Sequence, residues 1–83
     1  MSSGEITRKV LDYVVSQIVD DPDAVEVTLI EQGTDDVVAE VRTGPGDMGR
    51  VIGRRGRTAR SIRTVAQAAA DEEGITVSVE FED

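Results

Sequence analysis

The sequence predicts an α+β fold in which a three-stranded sheet packs against helices, in the order helix, strand, strand, short helix, helix, strand. Three observations lead to this fold class. Some stretches have the apolar spacing of helices, others alternate as strands do, and glycine or proline separates most of them. The length of 83 residues suits one small domain, so we expect residues 1–83 to fold as a single unit.

The first segment, from Glu5 to about Val19, has the periodicity of an amphipathic helix. Ser2 and Glu5 have the spacing of a capping box at its start. Pro22 disfavours helical geometry in the residue before it, so the helix should end at the aspartates that precede the proline. The predicted buried face of this helix consists of Ile6, Val10, Leu11, Val14 and Ile18.

Two strand-like runs follow, from Val25 to Ile30 and from Val37 to Arg42, and apolar residues alternate with polar ones in the first. A short polar connection that contains Gly33 joins the two runs, which predicts a hairpin. The last segment of the chain, from Ile75 to Glu82, alternates strictly. It is therefore predicted to be a strand with one buried face.

Two helices are predicted between the second and third strands. Asp47 precedes a short one, Met48 to about Ile52, and has a side chain suited to cap it. A longer one runs from Arg57 to about Glu72 and ends at Gly74. The predicted packed face of the longer helix consists of Thr58, Ala59, Ile62, Val65, Ala66 and Ala69.

The composition excludes several kinds of chemistry. The chain has no cysteine and no histidine, which excludes disulfides, thiolate zinc sites, cysteine nucleophiles and histidine general bases. No nucleophile has a base beside it in the pattern, so we expect neither an enzyme nor a cofactor. The acidic cluster at Asp20, Asp21 and Asp23 lacks the glycine and distant glutamate of a calcium loop, and we expect no metal site.

The charges are sorted along the chain. The formal net charge is −8, yet the segment from Arg50 to Arg63 holds six arginines and no acidic residue. All seventeen acidic residues lie outside that segment. An acidic body repels phosphate everywhere except at the arginine segment, so the pattern favours local binding of a polyanion. A solvated arginine face on a helix is the alternative interpretation.

Overlapping glycine patterns occur after the second strand. Gly44 to Gly49 matches the GxGxxG pattern of dinucleotide sites, but Asp47 would place a carboxylate beside the pyrophosphate and the next helix is too short. We therefore interpret this stretch as a turn between a strand and a helix. Its GxxG part, Gly46 to Gly49, carries an acid and no base, which does not suit phosphate.

A second GxxG pattern, Gly53-Arg54-Arg55-Gly56, has more suitable surroundings, because it joins two helical segments and both of its inner residues are arginine. Glycine lets a nucleic-acid backbone approach closely. The amides at the start of the following helix favour phosphate, and the two arginines add charged forked donors. The alternative interpretation is a helix corner with solvated arginines.

The stretch from Val51 to Ile62, with the sequence VIGRRGRTARSI, resembles the core of a KH domain. The element order matches the type II arrangement of that domain. The length, the opening helix and residues 56–65 are similar to the KhpA-like family of small bacterial proteins with a single KH domain. The resemblance implies a type II KH fold and binding of single-stranded RNA with loose sequence preference.

The resemblance also implies roles for individual residues. The GxxG loop would hold the RNA backbone, with further phosphate contacts from nearby arginines and a base groove bordered by apolar residues. The other side of the groove is expected on the second strand, from Val37 to Val41. No aromatic residue lies near the loop, so we expect weak binding by one domain. The candidate RNA-binding residues are Gly53, Arg54, Arg55, Gly56, Arg50, Arg57, Arg60, Ile52 and Thr58.

The family further implies partners and a cellular setting. KhpA-like proteins are described as self-associating and as pairing with KhpB-like (Jag/EloR-like) proteins, in RNA regulation or chaperoning linked to cell shape. Ala68 and Ala70 lie outside the predicted packed face and favour a homodimer. We expect a cytoplasmic protein with no membrane segment. A protein–protein adaptor with little RNA affinity is the alternative, favoured by the net negative charge.

Overall fold

The computed structural model describes residues 4–82 and has the predicted α+β fold and order of elements. Single 3-10 turns at Pro22–Ala24 and Arg54–Gly56 precede the first strand and the third helix. The helices are α1 (Glu5–Ile18), α2 (Met48–Ile52) and α3 (Arg57–Glu73), and the strands are β1 (Glu26–Glu31), β2 (Asp36–Arg42) and β3 (Thr76–Glu82).

The strands form one sheet in the order β1-β2-β3. β1 and β2 pair antiparallel, as a hairpin requires, whereas β2 and β3 pair parallel, with Ala39 opposite Val79. A parallel pair needs a crossover connection, which here contains α2 and α3. β2 is thus the central strand, and β3 keeps one edge that no described strand pairs with.

Helices α1 and α3 cover one face of the sheet and enclose the hydrophobic core. The alternation predicted for β3 is confirmed, because Val77 and Val79 are buried beneath the helices and Phe81 is half-buried. β2 has the same alternation, with Val37, Ala39 and Val41 buried. Burial of this aliphatic surface is the main stabilising contribution in a domain that has almost no aromatic residues. The buried core consists of Leu11, Val15, Val19, Val37, Ala39, Val41, Val51, Ile62, Ala66, Ala70, Ile75, Val77 and Val79.

The predicted buried face of α1 is partly wrong. Thr7, Leu11 and Val15 are its buried residues, whereas Ile6 is 53% exposed. The pattern favoured Ile6 over Thr7 because threonine is polar. Thr7 is buried all the same, since its hydroxyl donates a hydrogen bond of 2.7 Å to Glu73 Oε2. A satisfied hydroxyl removes most of the cost of burying a polar side chain.

The predicted packed face of α3 also differs from the structure. Ala59, Ile62, Ala66 and Ala70 are the buried residues, and Val65 is 43% exposed. The expectation that Ala70 lies outside the packed face is therefore wrong, because its side chain is completely buried in the core. Of the two alanines that suggested a partner surface, only Ala68 is exposed.

A glutamate from the far end of α3 caps the start of α1. Glu73 accepts hydrogen bonds from the amides of Ile6 (3.2 Å) and Thr7 (2.9 Å). Partial burial alone raises the pKa of the Glu73 carboxyl, but the bonds from the Thr7 hydroxyl and these amides outweigh it and hold the pKa below its usual range. The expected capping box involves Ser2, which lies outside the described residues.

Asp47 stands at the predicted N-cap position of α2, but its side chain makes no capping hydrogen bond there. The buried carboxylate instead accepts bonds from the amides of Asp20 (3.2 Å) and Asp21 (3.1 Å). It thereby ties the end of α1 to the turn between β2 and α2. The segment Gly44 to Gly46 forms that turn, as expected, and the helix that follows it, α2, has only five residues.

Candidate nucleic-acid interface

The loop between α2 and α3 has a backbone that ordinary residues rarely adopt. Gly53 has φ 75° and ψ 174°, and Gly56 has φ 73° and ψ 14°. Arg55 is left-handed as well, with φ 58° and ψ 25°. The Gly56 amide donates a hydrogen bond of 3.1 Å to the Gly53 carbonyl, which closes a tight turn. The two arginines are therefore exposed at the tip of a defined loop rather than buried.

Gly53 is required by close packing as well as by its dihedral angles. A Cβ at this position would overlap the Thr58 hydroxyl and lie 2.7 Å from Thr58 Cβ. Thr58, expected at the groove border, is half-buried against this glycine, and Ile52 is half-buried just before it. The loop is thus held against the first turn of α3.

Most of the predicted arginines remain available to a ligand. Arg54, Arg55, Arg57 and Arg60 are exposed, and none of them makes an ion pair within residues 4–82. The first turn of α3, a helix of 17 residues, carries no acidic residue. Its amides and these guanidinium groups together create a local positive potential on an acidic body.

Arg50 differs from the other candidate arginines. Its guanidinium lies 3.2 Å from the Asp20 carboxylate and 3.9 Å from that of Asp47. These two acids partly neutralise its charge. The structure therefore brings Arg50 to the edge of the arginine surface but engages it with the α1–β1 connection.

A groove of about 470 Å³ runs between α3 and the free edge of β3. The helix contributes polar and charged side chains and the strand contributes its edge. Arg60, a sequence candidate, lines the groove near the loop. The lining residues are Arg60, Arg63, Thr64, Gln67, Val77, Ser78 and Val79.

Side chains of α3 bind backbone groups on the free edge of β3. Arg63 Nε donates a hydrogen bond of 3.3 Å to the Val79 carbonyl, and the Val77 amide donates one of 3.3 Å to Gln67 Oε1. In a β-strand, the backbone amide and the backbone carbonyl of one residue point to the same side of the strand. The Val77 carbonyl and the Val79 amide therefore also face the groove, where a ligand can pair with them.

The expectation that β2 forms the other side of the groove is wrong. Val37, Ala39 and Val41 are buried beneath the helices in the central strand. The groove instead uses β3, because the parallel crossover places that strand at the sheet edge beside α3. The sequence pattern predicted which faces of the strands are apolar but not the order of the strands in the sheet. For this reason it did not identify Arg63, Thr64 and Gln67 as groove residues.

One aromatic side chain lies closer to this surface than its place in the sequence suggests. The Arg63 guanidinium lies over the Phe81 ring, 5.0 Å from its centroid. Phe81 is far from the loop along the chain but sits on β3 beside the groove.

A group of carboxylates lies on the opposite face of the sheet. Glu40, Glu80 and Glu82 bring oxygens within 4.8 Å of one another, close enough to share a cation. A hydrogen bond with Glu82, followed by burial and repulsion, raises the pKa of Glu40. Because Glu82 already binds Arg42 (2.7 Å) and the cluster lies on the sheet face opposite to α3 and the Gly53–Gly56 loop, we assign it no part in the site.

Comparison with known proteins identifies the family. The model of the family described as "KhpA/KhpB, KH domain" matches residues 8–81. The chain belongs to this family. KH domains of this RNA-binding family are not an enzyme class. The KhpA-like resemblance stated from the GxxG motif and the type II order is confirmed.

Curated relatives named "RNA-binding protein KhpA" match most of the chain. The relative from Clostridium acetobutylicum is 41% identical over 74 residues, which cover 89% of this chain and 97% of the relative. The one from Leifsonia xyli is 48% identical over 69 residues, 83% of this chain and 90% of the relative. The one from Caldanaerobacter subterraneus is 46% identical over 68 residues, 82% and 89% respectively. No solved structure matches.

Among residues 4–82, no helix combines the length and the apolar character that crossing a membrane requires.

Proposed function

We propose that this protein binds single-stranded RNA through the loop Gly53–Gly56 and the groove between α3 and β3, as one KH domain. The observation that carries the proposal is the loop. Two glycines with positive φ hold two exposed arginines directly before the amides of a long helix. This combination of close backbone access, fixed charge and helix dipole suits consecutive phosphates.

The groove supports a role in holding bases. Arg60 extends the phosphate-binding surface from the loop, while the edge of β3 offers a carbonyl and an amide to a base edge. With few side chains able to read a base, the site favours loose sequence preference. The remaining candidates contribute as secondary contacts, Arg57 and Arg50 to phosphate and Ile52 and Thr58 at the groove border.

The small surface supports the use of a second binding unit. One loop and one short groove make few contacts, so two linked domains would gain affinity through effective concentration. We propose a homodimer, or a heterodimer with a KhpB-like protein, that acts in the cytoplasm in post-transcriptional regulation or as an RNA chaperone. The exposed Val65 and Ala68 on α3 support a helix-mediated contact.

Neutralising the loop tests the proposal. We expect Arg54→Gln with Arg55→Asn to weaken binding of a labelled single-stranded RNA by about tenfold or more, because two charge-assisted phosphate contacts are lost. Asparagine suits the left-handed conformation at position 55, so the fold is retained. Fluorescence anisotropy gives the affinity and circular dichroism checks the fold.

Lys9→Asp provides a control with the same change in net charge. Lys9 is exposed on α1, outside the loop and the groove. If the proposal is right, this control keeps nearly all of the RNA affinity. Equal losses in both variants would indicate a general charge effect, and a wild-type protein that binds no RNA would favour the protein–protein adaptor.

A further inference from the structure

Arg63 is a groove residue whose side chain is held by two contacts with β3. Its Nε donates a hydrogen bond to the Val79 carbonyl (3.3 Å), and its guanidinium lies over the Phe81 ring (5.0 Å to the centroid). It makes no ion pair with the described acidic residues. Its guanidinium is therefore fixed by a hydrogen bond and a cation–π contact rather than by a carboxylate.

The two contacts leave part of the guanidinium open. The Phe81 ring lies on one side of the group, with its centroid 5.0 Å from the guanidinium carbon, and Arg63 is nevertheless exposed and lines the groove. A planar guanidinium that rests on an aromatic ring presents its other face to whatever occupies the groove. Nucleic-acid bases stack on such planes as they do on aromatic rings.

We propose that Arg63, backed by Phe81, is a stacking platform for one base of the bound RNA. This inference rests on the proposed function and adds the kind of contact that the groove makes. Arg63 would hold a base by its plane, whereas Arg60, one helical turn away, would contact phosphate by its charge. Purines, which have the larger π surface, are the preferred occupants of the platform.

Arg63→Lys tests the platform, because it keeps the positive charge and removes the plane. The probes are oligoadenylate and an abasic oligomer of equal length, which carry the same phosphates. We expect Arg63→Lys to weaken oligoadenylate binding by about fivefold, the lower end of the range for base stacking, and to change abasic binding by less than about twofold. Phe81→Leu removes the aromatic ring beside the Arg63 guanidinium and should also weaken oligoadenylate binding.

Arg60→Gln is the comparison on the same helix: it removes the charge that contacts phosphate, so it should weaken binding of both oligomers by the same factor. If Arg63→Lys also weakens both equally, Arg63 is a phosphate or structural contact and the platform is refuted. It is equally refuted if neither oligomer responds. A wild-type protein that binds neither oligomer contradicts the proposed function itself, so the two failures are distinguishable.

Discussion

Gly53 gives the most direct test of the loop geometry, because both its backbone and its surroundings exclude a side chain. Its φ of 75° and ψ of 174° lie in a region that is essentially limited to glycine. An added Cβ would also lie 2.7 Å from Thr58 Cβ and 3.0 Å from the Thr58 amide nitrogen. The Thr58 backbone belongs to the first turn of α3 and cannot move away without disturbing that helix.

The cost of Gly53→Ala therefore has two parts, backbone strain and steric overlap. We expect the free energy of unfolding to fall by about 3 kcal/mol. In a domain of this size that corresponds to a melting temperature lower by roughly 15 °C. Urea unfolding followed by circular dichroism measures the change.

Gly56→Ala is the matched control in the same loop. Gly56 has a similar φ of 73°, but a Cβ there would meet no atom within 4 Å. We expect a cost of about 1 kcal/mol, from the left-handed conformation alone. In addition, Thr58→Ala should partly rescue Gly53→Ala, since it removes the overlapping hydroxyl. Equal costs at both glycines, or no rescue, would contradict the reasoning.

Three further predictions concern pH and salt. Glu73→Gln should lower stability by about 1 kcal/mol at neutral pH. Because the pKa of Glu73 is lower in the folded state, this contribution to stability is fully present above the ordinary carboxyl pKa and disappears as pH falls through the folded pKa. The difference in unfolding free energy between wild type and variant, measured by urea unfolding, should therefore shrink on acidification. RNA affinity should fall with salt with a log–log slope of roughly −2 to −3, for three or four phosphate contacts. Self-association should instead strengthen with moderate salt, because salt screens the repulsion between two chains of net charge −8. Sedimentation equilibrium that finds only monomer at every salt concentration would contradict this prediction.

The elements of the fold could be predicted because the signals are local. Alternation in β2 and β3, glycine at 74 and the arginine loop each depend on neighbouring residues. The buried face of α1 could be predicted only in part. Whether Thr7 or Ile6 is buried depends on Glu73, which lies at the other end of the chain and supplies the hydrogen-bond acceptor.

The loop half of the site could also be predicted, but the groove half could not. Gly53 to Gly56 and the adjacent arginines form one continuous stretch. The groove depends on strand order, because β3 rather than β2 is the edge strand beside α3. Arg63 belongs to the arginine run, yet only the parallel pairing of β3 brings Phe81 and the Val79 carbonyl to it.

The parallel crossover has a consequence for cooperativity. β2 and β3 pair along their whole length, from Asp36 with Thr76 to Arg42 with Glu82, and the chain between them contains α2, the loop and α3. The helices on both sides of the loop contribute Val51, Ile62 and Ala66 to the core, so they fold together with the sheet. A ligand that binds only the closed loop is then thermodynamically linked to global folding, and at a hundred times its Kd it adds about 2.7 kcal/mol to the stability of the whole domain.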